Sequence, residues 1–379
     1  MNSIKKNSTI IQQKMGTIFC LLSILFLSAC QQTTEADSVK KVNTSQPFFG
    51  AKFEPPSGRV IHGWGQITHG WNTDLPGAKG DKQDYLDYLQ VVGKNAPAIV
   101  SFYIHPQRAD GQDQLDGFIK RYNKFAKDDT WKMAQIAYDF NPKETLSGQT
   151  DKQLEQFFNA VAKTNKPVFL RIGWEFNNLG HFDPIEYREG FKYIVNKMRA
   201  MNIDNIATLW HASVPDLNEL TGMPILGEHH YMDFYPGDEY VDWWSISQFS
   251  IGTFRSPGSI EFYQNAASRN KPVFIGESAP WFTKGLSMQF RNPESLQESL
   301  SWFNAYFSLF EEYPQIKAFN VIIVDWQRWN WIWPQLTGGF NNTRLDLWPE
   351  LPSRYNNMLD RHRFIHANEA EALYLLKQE

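Results

Sequence analysis

The chain has 379 residues and a mass of 44.0 kDa, and with 42% hydrophobic residues it carries enough apolar material for a large core, which excludes a low-complexity chain. A net charge of −4 and a pI of about 6.2 argue against a general nucleic-acid binder, and a mean hydropathy of −0.47 excludes a multi-span membrane protein. Aromatic residues reach 15%, with 14 Trp, a composition suited to surfaces that stack on flat ligand faces.

The first thirty residues read as an address. Lys5, Lys6 and Lys14 precede an apolar run from Met15 to Leu27, which ends Leu27-Ser28-Ala29-Cys30. A basic start, a short apolar stretch and small residues before a cut are the marks of a secretory signal. The run is shorter than the roughly 20 residues of a membrane-spanning helix. Leu-Ser-Ala-Cys resembles the bacterial lipobox, so residues 1–29 are expected to be removed and Cys30 to be lipidated. The other cysteine, Cys20, lies in the removed segment, which leaves no disulfide in the exported protein. Gln31 after the cysteine leans toward the outer membrane, so the expected location is a cell envelope, with the lipid bilayer as a partner. Residues 30–57 are rich in Thr, Ser, Gln and Lys, end at Pro55-Pro56-Ser57, and are expected to form a flexible tether.

From residue 58 to 379 the pattern is α/β. Apolar, β-rich runs occur at Arg59–Gln66, Ala98–Ile104, Met133–Asp139, Pro167–Trp174, Ile206–His211, Trp243–Phe249, Pro272–Ser278 and Ala318–Asp325. Amphipathic stretches lie between them, at Asp151–Thr164, Pro184–Met201, Ile260–Arg269 and Pro293–Glu312. The runs are continuous rather than alternating, as expected of strands buried on both faces of a parallel sheet. Eight of them predict a single (β/α)8 TIM barrel, a fold of about 250 residues or more. An open doubly wound sheet is the alternative, but it usually carries a Gly-rich phosphate loop, and neither GxGxxG nor GxxxxGK[ST] occurs here. Residues 360–379 are expected to form a terminal helix.

In such barrels the chemistry sits where the strands end. The first run gives His62, Trp64 and Gln66; the second ends at His105; the fourth gives Trp174, Glu175, Asn177 and Asn178; the fifth gives Trp210 and His211; the sixth gives Gln248. The seventh ends at Glu277, and the eighth is followed by Trp326, Trp329, Trp331 and Trp333. Glu175 and Glu277 stand out because each ends an apolar strand, where an unpaired charge is costly. Two carboxyls across a cleft are what glycoside hydrolysis needs, one to protonate the leaving oxygen and one to attack the anomeric carbon. The alternative for each is a structural ion pair, with Arg171 as partner. His62, Trp64 and Gln66 either line a subsite or pack beneath the mouth. His211 either binds sugar hydroxyls or is a structural histidine. His229, His230 and Asp233 lack the spacing of a zinc protease and are not read as metal ligands.

Arg171-Ile-Gly-Trp-Glu175-Phe-Asn177 resembles the strand-four motif of retaining clan A glycoside hydrolases, and within that clan family 26, the β-mannanase family, as a distant or sister member. Tyr235-Pro-Gly-Asp-Glu-Tyr-Val-Asp-Trp-Trp244 resembles that family's segment leading into strand six, and Lys271-Pro-Val-Phe-Ile-Gly-Glu277-Ser278 resembles its nucleophile strand. The resemblance implies Glu175 as acid/base, Glu277 as nucleophile, no cofactor, and a polysaccharide or oligosaccharide substrate. Sugar contacts are expected from Arg171, Trp174 and Asn177 of the strand-four motif and, from their place at or after strand ends, from His62, Trp64, Gln66, His105, Trp210, His211, Gln248, Trp326 and Trp329. The chain departs from the family at Trp174, where His is usual, at Asn178 for Gly, at Ser278 for Phe, and at Ser247-Gln248-Phe249, where a Tyr normally stands near the nucleophile. The expected substrate is a β-linked plant or algal polysaccharide, mannan first, with a red-algal galactan as alternative. A non-catalytic, surface glycan-binding lipoprotein is the rival of a different class.

Overall fold

The computed structural model describes residues 48–65, 81–107, 111–127, 131–178, 182–215, 229–281, 293–326, 340 and 342–370. Cys30, Gln66 and Trp329 lie outside the described residues.

Eight parallel strands close into a barrel: β1 (Val60–Trp64), β2 (Ile99–Ile104), β3 (Met133–Tyr138), β4 (Val168–Trp174), β5 (Ile206–Ala212), β6 (Trp243–Gln248), β7 (Val273–Ser278) and β8 (Ile316–Val321). Pairing of β1 with both β8 and β2 completes the ring. The helices between them are α1 (Asp81–Val92), α2 (Gly111–Phe125), α3 (Pro142–Leu146), α4 (Asp151–Ala162), α5 (Pro184–Ala200), α6 (Pro257–Ser268) and α7 (Pro293–Glu312), followed by α8 (Leu351–Leu359). The (β/α)8 barrel expected from the eight apolar runs is the fold observed.

The local signals explain the starts and stops. Asn141, Asp183 and Ser256 cap α3, α5 and α6, each accepting from backbone N–H groups, and each is followed by proline in the first turn. Asn165 and Asn270 adopt left-handed φ of 51° and 55° just after α4 and α6. Asparagine tolerates that region, so the twice-used phrase Asn-Lys-Pro ends a helix and starts a strand.

The barrel interior is layered. Ile61, Ile99, Met133, Phe169, Leu209, Trp243, Phe274 and Ala318 fill the end where the strands begin. Above them a small polar layer closes on itself: Asn320 Nδ2 donates to Ser101 Oγ at 2.7 Å and to Gln135 Oε1 at 2.8 Å. The layer above that is the candidate site.

Two expectations about the ends change. The tether expected over residues 30–57 does not extend through Lys52 and Phe53, which pack under the barrel: Phe53 meets Phe169 edge-on at 6.0 Å, and Trp243 Nε1 donates to the Lys52 carbonyl at 2.7 Å. Within the expected terminal helix, Phe364–Ile365 instead form a short strand, β9, parallel to β1. An apolar pair that fills the gap beside β1 below the start of β2 is better buried as a strand than wound into an exposed turn.

Candidate active site

Two irregularities in the sheet aim the two glutamates. Along β4, side chains alternate, so Phe169 and Arg171 point inward while Leu170 and Ile172 meet the helices. Gly173 breaks the alternation with φ of 60°, and the register against β5 shifts between Arg171 and Trp174. A Cβ at Gly173 would meet Phe140, Tyr187 and Phe182 of the outer layer, so two consecutive residues face outward and Trp174 and Glu175 are turned to the mouth. Glu175 itself has φ of 49°, a left-handed conformation rare for a residue with a long side chain. On β7 the shift falls where Ile246 pairs Ile275 and Ser247 pairs Glu277. Gly276 and Glu277 therefore both face inward.

Glu277 is held by two partners. Its Oε1 lies 2.6 Å from Nη2 of Arg171, whose side chain is wholly buried, and it shares a hydrogen bond with the Tyr103 hydroxyl. The Arg171 guanidinium also sits 5.0 Å over the Tyr103 ring and 5.6 Å over the Trp174 ring. Burial holds the Glu277 carboxyl above its ordinary range, against the pull of Arg171 and the Tyr103 hydroxyl and with a further push from Glu175. A buried guanidinium keeps its charge, so the balanced state of the pair has Glu277 ionised. Burial and the Glu277 charge hold the Tyr103 phenol far above its ordinary range, which keeps it a donor.

Glu175 is held differently. Ser247 Oγ donates to its Oε1 at 2.7 Å, and Asn178 Nδ2 donates to its Oε2 at 3.0 Å. Behind Ser247 lies His211, with Nε2 3.0 Å from Ser247 Oγ and Nδ1 2.7 Å from Ser245 Oγ. Burial, assisted by the Arg171 charge, pushes the His211 imidazole well below its ordinary range. Asn177 accepts from the Ser213 backbone N–H at 2.8 Å, which ties the β4 turn to the end of β5. His105 meets Asp139 at 2.8 Å through Nδ1, and its ring lies 5.0 Å from that of Trp174.

The structure thus brings Arg171, Trp174, Glu175, Asn177, His105, His211 and Glu277 to one place. Five of the expected sugar contacts lie elsewhere. His62 and Trp64 face the helices: His62 Nε2 is 2.8 Å from Tyr88 Oη, and the Trp64 ring packs on Tyr85 at 5.3 Å. The upper inward position of β1 is Gly63, because a Cβ there would lie 1.9 Å from Asn320 Oδ1. Trp210 is stacked on Phe176 at 4.6 Å in the outer layer and donates to the Phe234 carbonyl at 3.2 Å. The Gln248 amide donates to Ser259 and Tyr263, both at 3.0 Å, on α6. Trp326 is buried with one face covered by Phe340 at 4.1 Å. His230 caps a short turn and lies 3.4 Å from Glu261.

Tyr103, Ser247 and Trp281 are not among the expected contacts. Tyr103 and Ser247 touch the glutamates, and half-buried Trp281, three residues past β7, packs edge-on against Phe340 at 4.7 Å. Tyr103 lay within reach of period-two alternation, which puts Ser101, Tyr103 and His105 on one face of β2.

A barrel with two glutamates at the ends of β4 and β7, each in its own hydrogen-bonded setting, defines a class of site. Comparisons place it further. No family model matches the chain. It is 25% identical over 236 residues to a β-1,3-xylanase of an Alcaligenes species, covering 58% of this chain and 48% of that protein. It is 26% identical over 243 residues to the β-1,3-xylanase TXYA of a Vibrio species, covering 59% and 50%. The chain spans about half the length of these curated relatives. The YdhT protein of Bacillus subtilis shares the fold, with 14% identity, a TM-score of 0.50, and coverage of 82% of this chain and 88% of that one. With the three motifs, the sequence likenesses support a distant relationship to the clan A glycoside hydrolases.

Proposed function

We propose that the protein is a retaining, endo-acting glycoside hydrolase of a β-linked polysaccharide. The observation that carries this reading is the unequal treatment of the two glutamates. Glu277 is fixed against a buried guanidinium and a phenol, as a nucleophile must be. Glu175 is held by the Ser247 hydroxyl and the Asn178 amide, a setting that suits a group which gains and loses a proton.

In the first step Glu277 attacks the anomeric carbon while Glu175 gives its proton to the departing glycosidic oxygen. In the second, Glu175 takes a proton from water, the water oxygen bonds to the anomeric carbon, and Glu277 leaves as carboxylate. Trp174, half-exposed beside both, offers a ring face for a pyranose. The departures from the mannanase pattern and the names of the two relatives put β-1,3-xylan ahead of mannan as substrate. Export and lipid anchoring through Cys30 are part of the same proposal, since a polymer cannot enter the cell.

The test is a reducing-end assay against β-1,3-xylan, mannans, β-glucans and red-algal galactans, with NMR of the first-formed anomer. Activity on one polymer, with the product keeping the β configuration and with loss of turnover in Glu175→Gln, is expected. Binding to a polymer without cleavage of any would overturn the enzyme in favour of a glycan-binding lipoprotein.

A further inference from the structure

We propose that Ser245, His211 and Ser247 form a directional hydrogen-bond relay that positions the Glu175 carboxylate, with His211 and Ser247 as positioning residues. The inference rests on the reading of Glu175 as acid/base.

The direction follows from what each atom can do. The Glu175 carboxylate only accepts, so the Ser247 hydroxyl spends its single proton there, at 2.7 Å. Ser247 Oγ, 3.0 Å from His211 Nε2, must then accept from that nitrogen. His211 Nε2 therefore carries the ring proton, and Nδ1 accepts from Ser245 Oγ at 2.7 Å. One histidine tautomer fixes the whole chain. The imidazole must stay neutral for Nδ1 to accept. Burial keeps it so, and the charge that faces it, Arg171 of β4, works the same way. From β6 it meets the two serines, and from β7 it meets Gly276, where a Cβ would lie 2.7 Å from the ring. Gly276 thus makes room for the ring as well as for the bulge that turns Glu277 inward.

The relay grips one oxygen of Glu175. Ser247 is fully buried, whereas Asn178, at Oε2, is partly exposed on the turn after β4. Oε1 is the inner oxygen and Oε2 the outer one, so Oε2 exchanges the proton with the glycosidic oxygen and with water. A donor aimed at Oε1 favours the carboxylate over the acid. The relay therefore matters most in the second step, where Glu175 must act as base. His211 acts through Ser247 and touches no substrate.

Two experiments decide it. In the wild-type protein labelled with 15N-histidine, the His211 signals, assigned by their loss in His211→Gln, should report a neutral Nε2–H ring at pH 7. A neutral Nδ1–H ring or a doubly protonated one overturns the relay, whether or not the protein cleaves any polymer. In the kinetic arm, Ser247→Ala should lower kcat about tenfold, the scale of one charge-assisted hydrogen bond, and raise the fraction of covalent glycosyl-enzyme seen by mass spectrometry in quenched reactions. His211→Phe should reproduce it, and His211→Gln, which keeps a donor, should recover part of the loss. A fall in kcat/KM with no added intermediate would mark a packing role and overturn the proposal. If wild type cleaves none of the polymers, the proposed activity fails while the nitrogen shifts still decide the relay.

Discussion

Among the described residues, a buried carboxylate–cation pair lies at each end of the barrel, and the two differ in what surrounds them. At the floor, Glu54 and Lys317 are 0% and 1% exposed and 3.8 Å apart. Glu54 is saturated by backbone N–H groups, from Phe49 at 2.9 Å and Ala51 at 3.1 Å, and Phe53 closes the end below it. At the mouth, Arg171 is 0% exposed while Glu277 keeps 13% of its side-chain surface open, and its other neighbours are Tyr103 and Glu175 rather than backbone. The floor pair is closed on all sides, and burial pushes the Glu54 carboxyl up and the Lys317 ammonium down. The mouth pair has a fixed charge on one side and an opening on the other. The same two ingredients make a plug in one setting and a candidate reaction centre in the other.

Exchanging the two carboxylates for amides separates these roles. Glu277→Gln should cost at least about 10³-fold in kcat, since a nucleophile acts as a unit with its partners. The same variant tests the comparison through binding, because polysaccharide affinity measured by gel retardation should survive. Residual turnover within tenfold of wild type would show that the mouth pair is structural, as the floor pair is. Glu54→Gln should do the reverse. It leaves the Lys317 ammonium buried without a counter-charge, at a cost of roughly 3–5 kcal/mol in unfolding free energy, with kcat per folded molecule unchanged.

The sequence carried the barrel almost whole, because strands buried on both faces read as unbroken apolar runs and each of the eight was found. It carried the glutamate pair too, since a carboxylate that ends an apolar strand is conspicuous. It did not carry the facing of individual residues. His62 and Trp64 end a strand, as Glu175 and Glu277 do, yet they point away from the mouth. The pattern His-Gly-Trp-Gly held the clue: alternate glycines mark the face where Asn320, at Gly63, and Ile322, at Gly65, leave no room. Conversely, simple alternation would have turned Glu277 outward, and only the bulge at Gly276 brings it in. Bulges depend on pairing between strands far apart in the chain, so no local pattern announces them.

Tyr103 sharpens the contrast at the mouth. The resemblance led one to expect a tyrosine from strand six beside the nucleophile. That position is Ser247, which serves Glu175, and the tyrosine comes from β2 instead. Tyr103→Phe removes a hydrogen bond that favours the charged form of Glu277. Its carboxyl should then protonate at higher pH, so the acid limb of kcat/KM should move up in pH, with kcat at the optimum falling about tenfold. An unmoved acid limb would mean that Arg171 alone sets the charge of Glu277.

The smallest expected effect concerns histidines in both regions. His62 and His366 lie in the outer layer, with their Nδ1 atoms 3.1 Å apart, and His211 lies at the mouth. Burial pushes all three below the ordinary imidazole range, His62 and His211 well below it. A group with a depressed folded value stabilises the fold fully above its unfolded value, near 6.5, and that contribution is lost as pH falls below it. Each contributes a slope of up to about 1.4 kcal/mol per pH unit in that window. Denaturant unfolding at pH 7.5, 6 and 5 should therefore show falling stability, and His62→Gln should flatten the slope by about one group's share while leaving the acid limb of kcat/KM in place. A flattened slope accompanied by a shifted activity limb would show that the outer layer and the mouth titrate as one unit. Their separation is what the geometry requires, because His62 reaches Tyr88 and His366 on the helix side of β1, while Ser247 at Glu175 and Arg171 at Glu277 lie on the inner side.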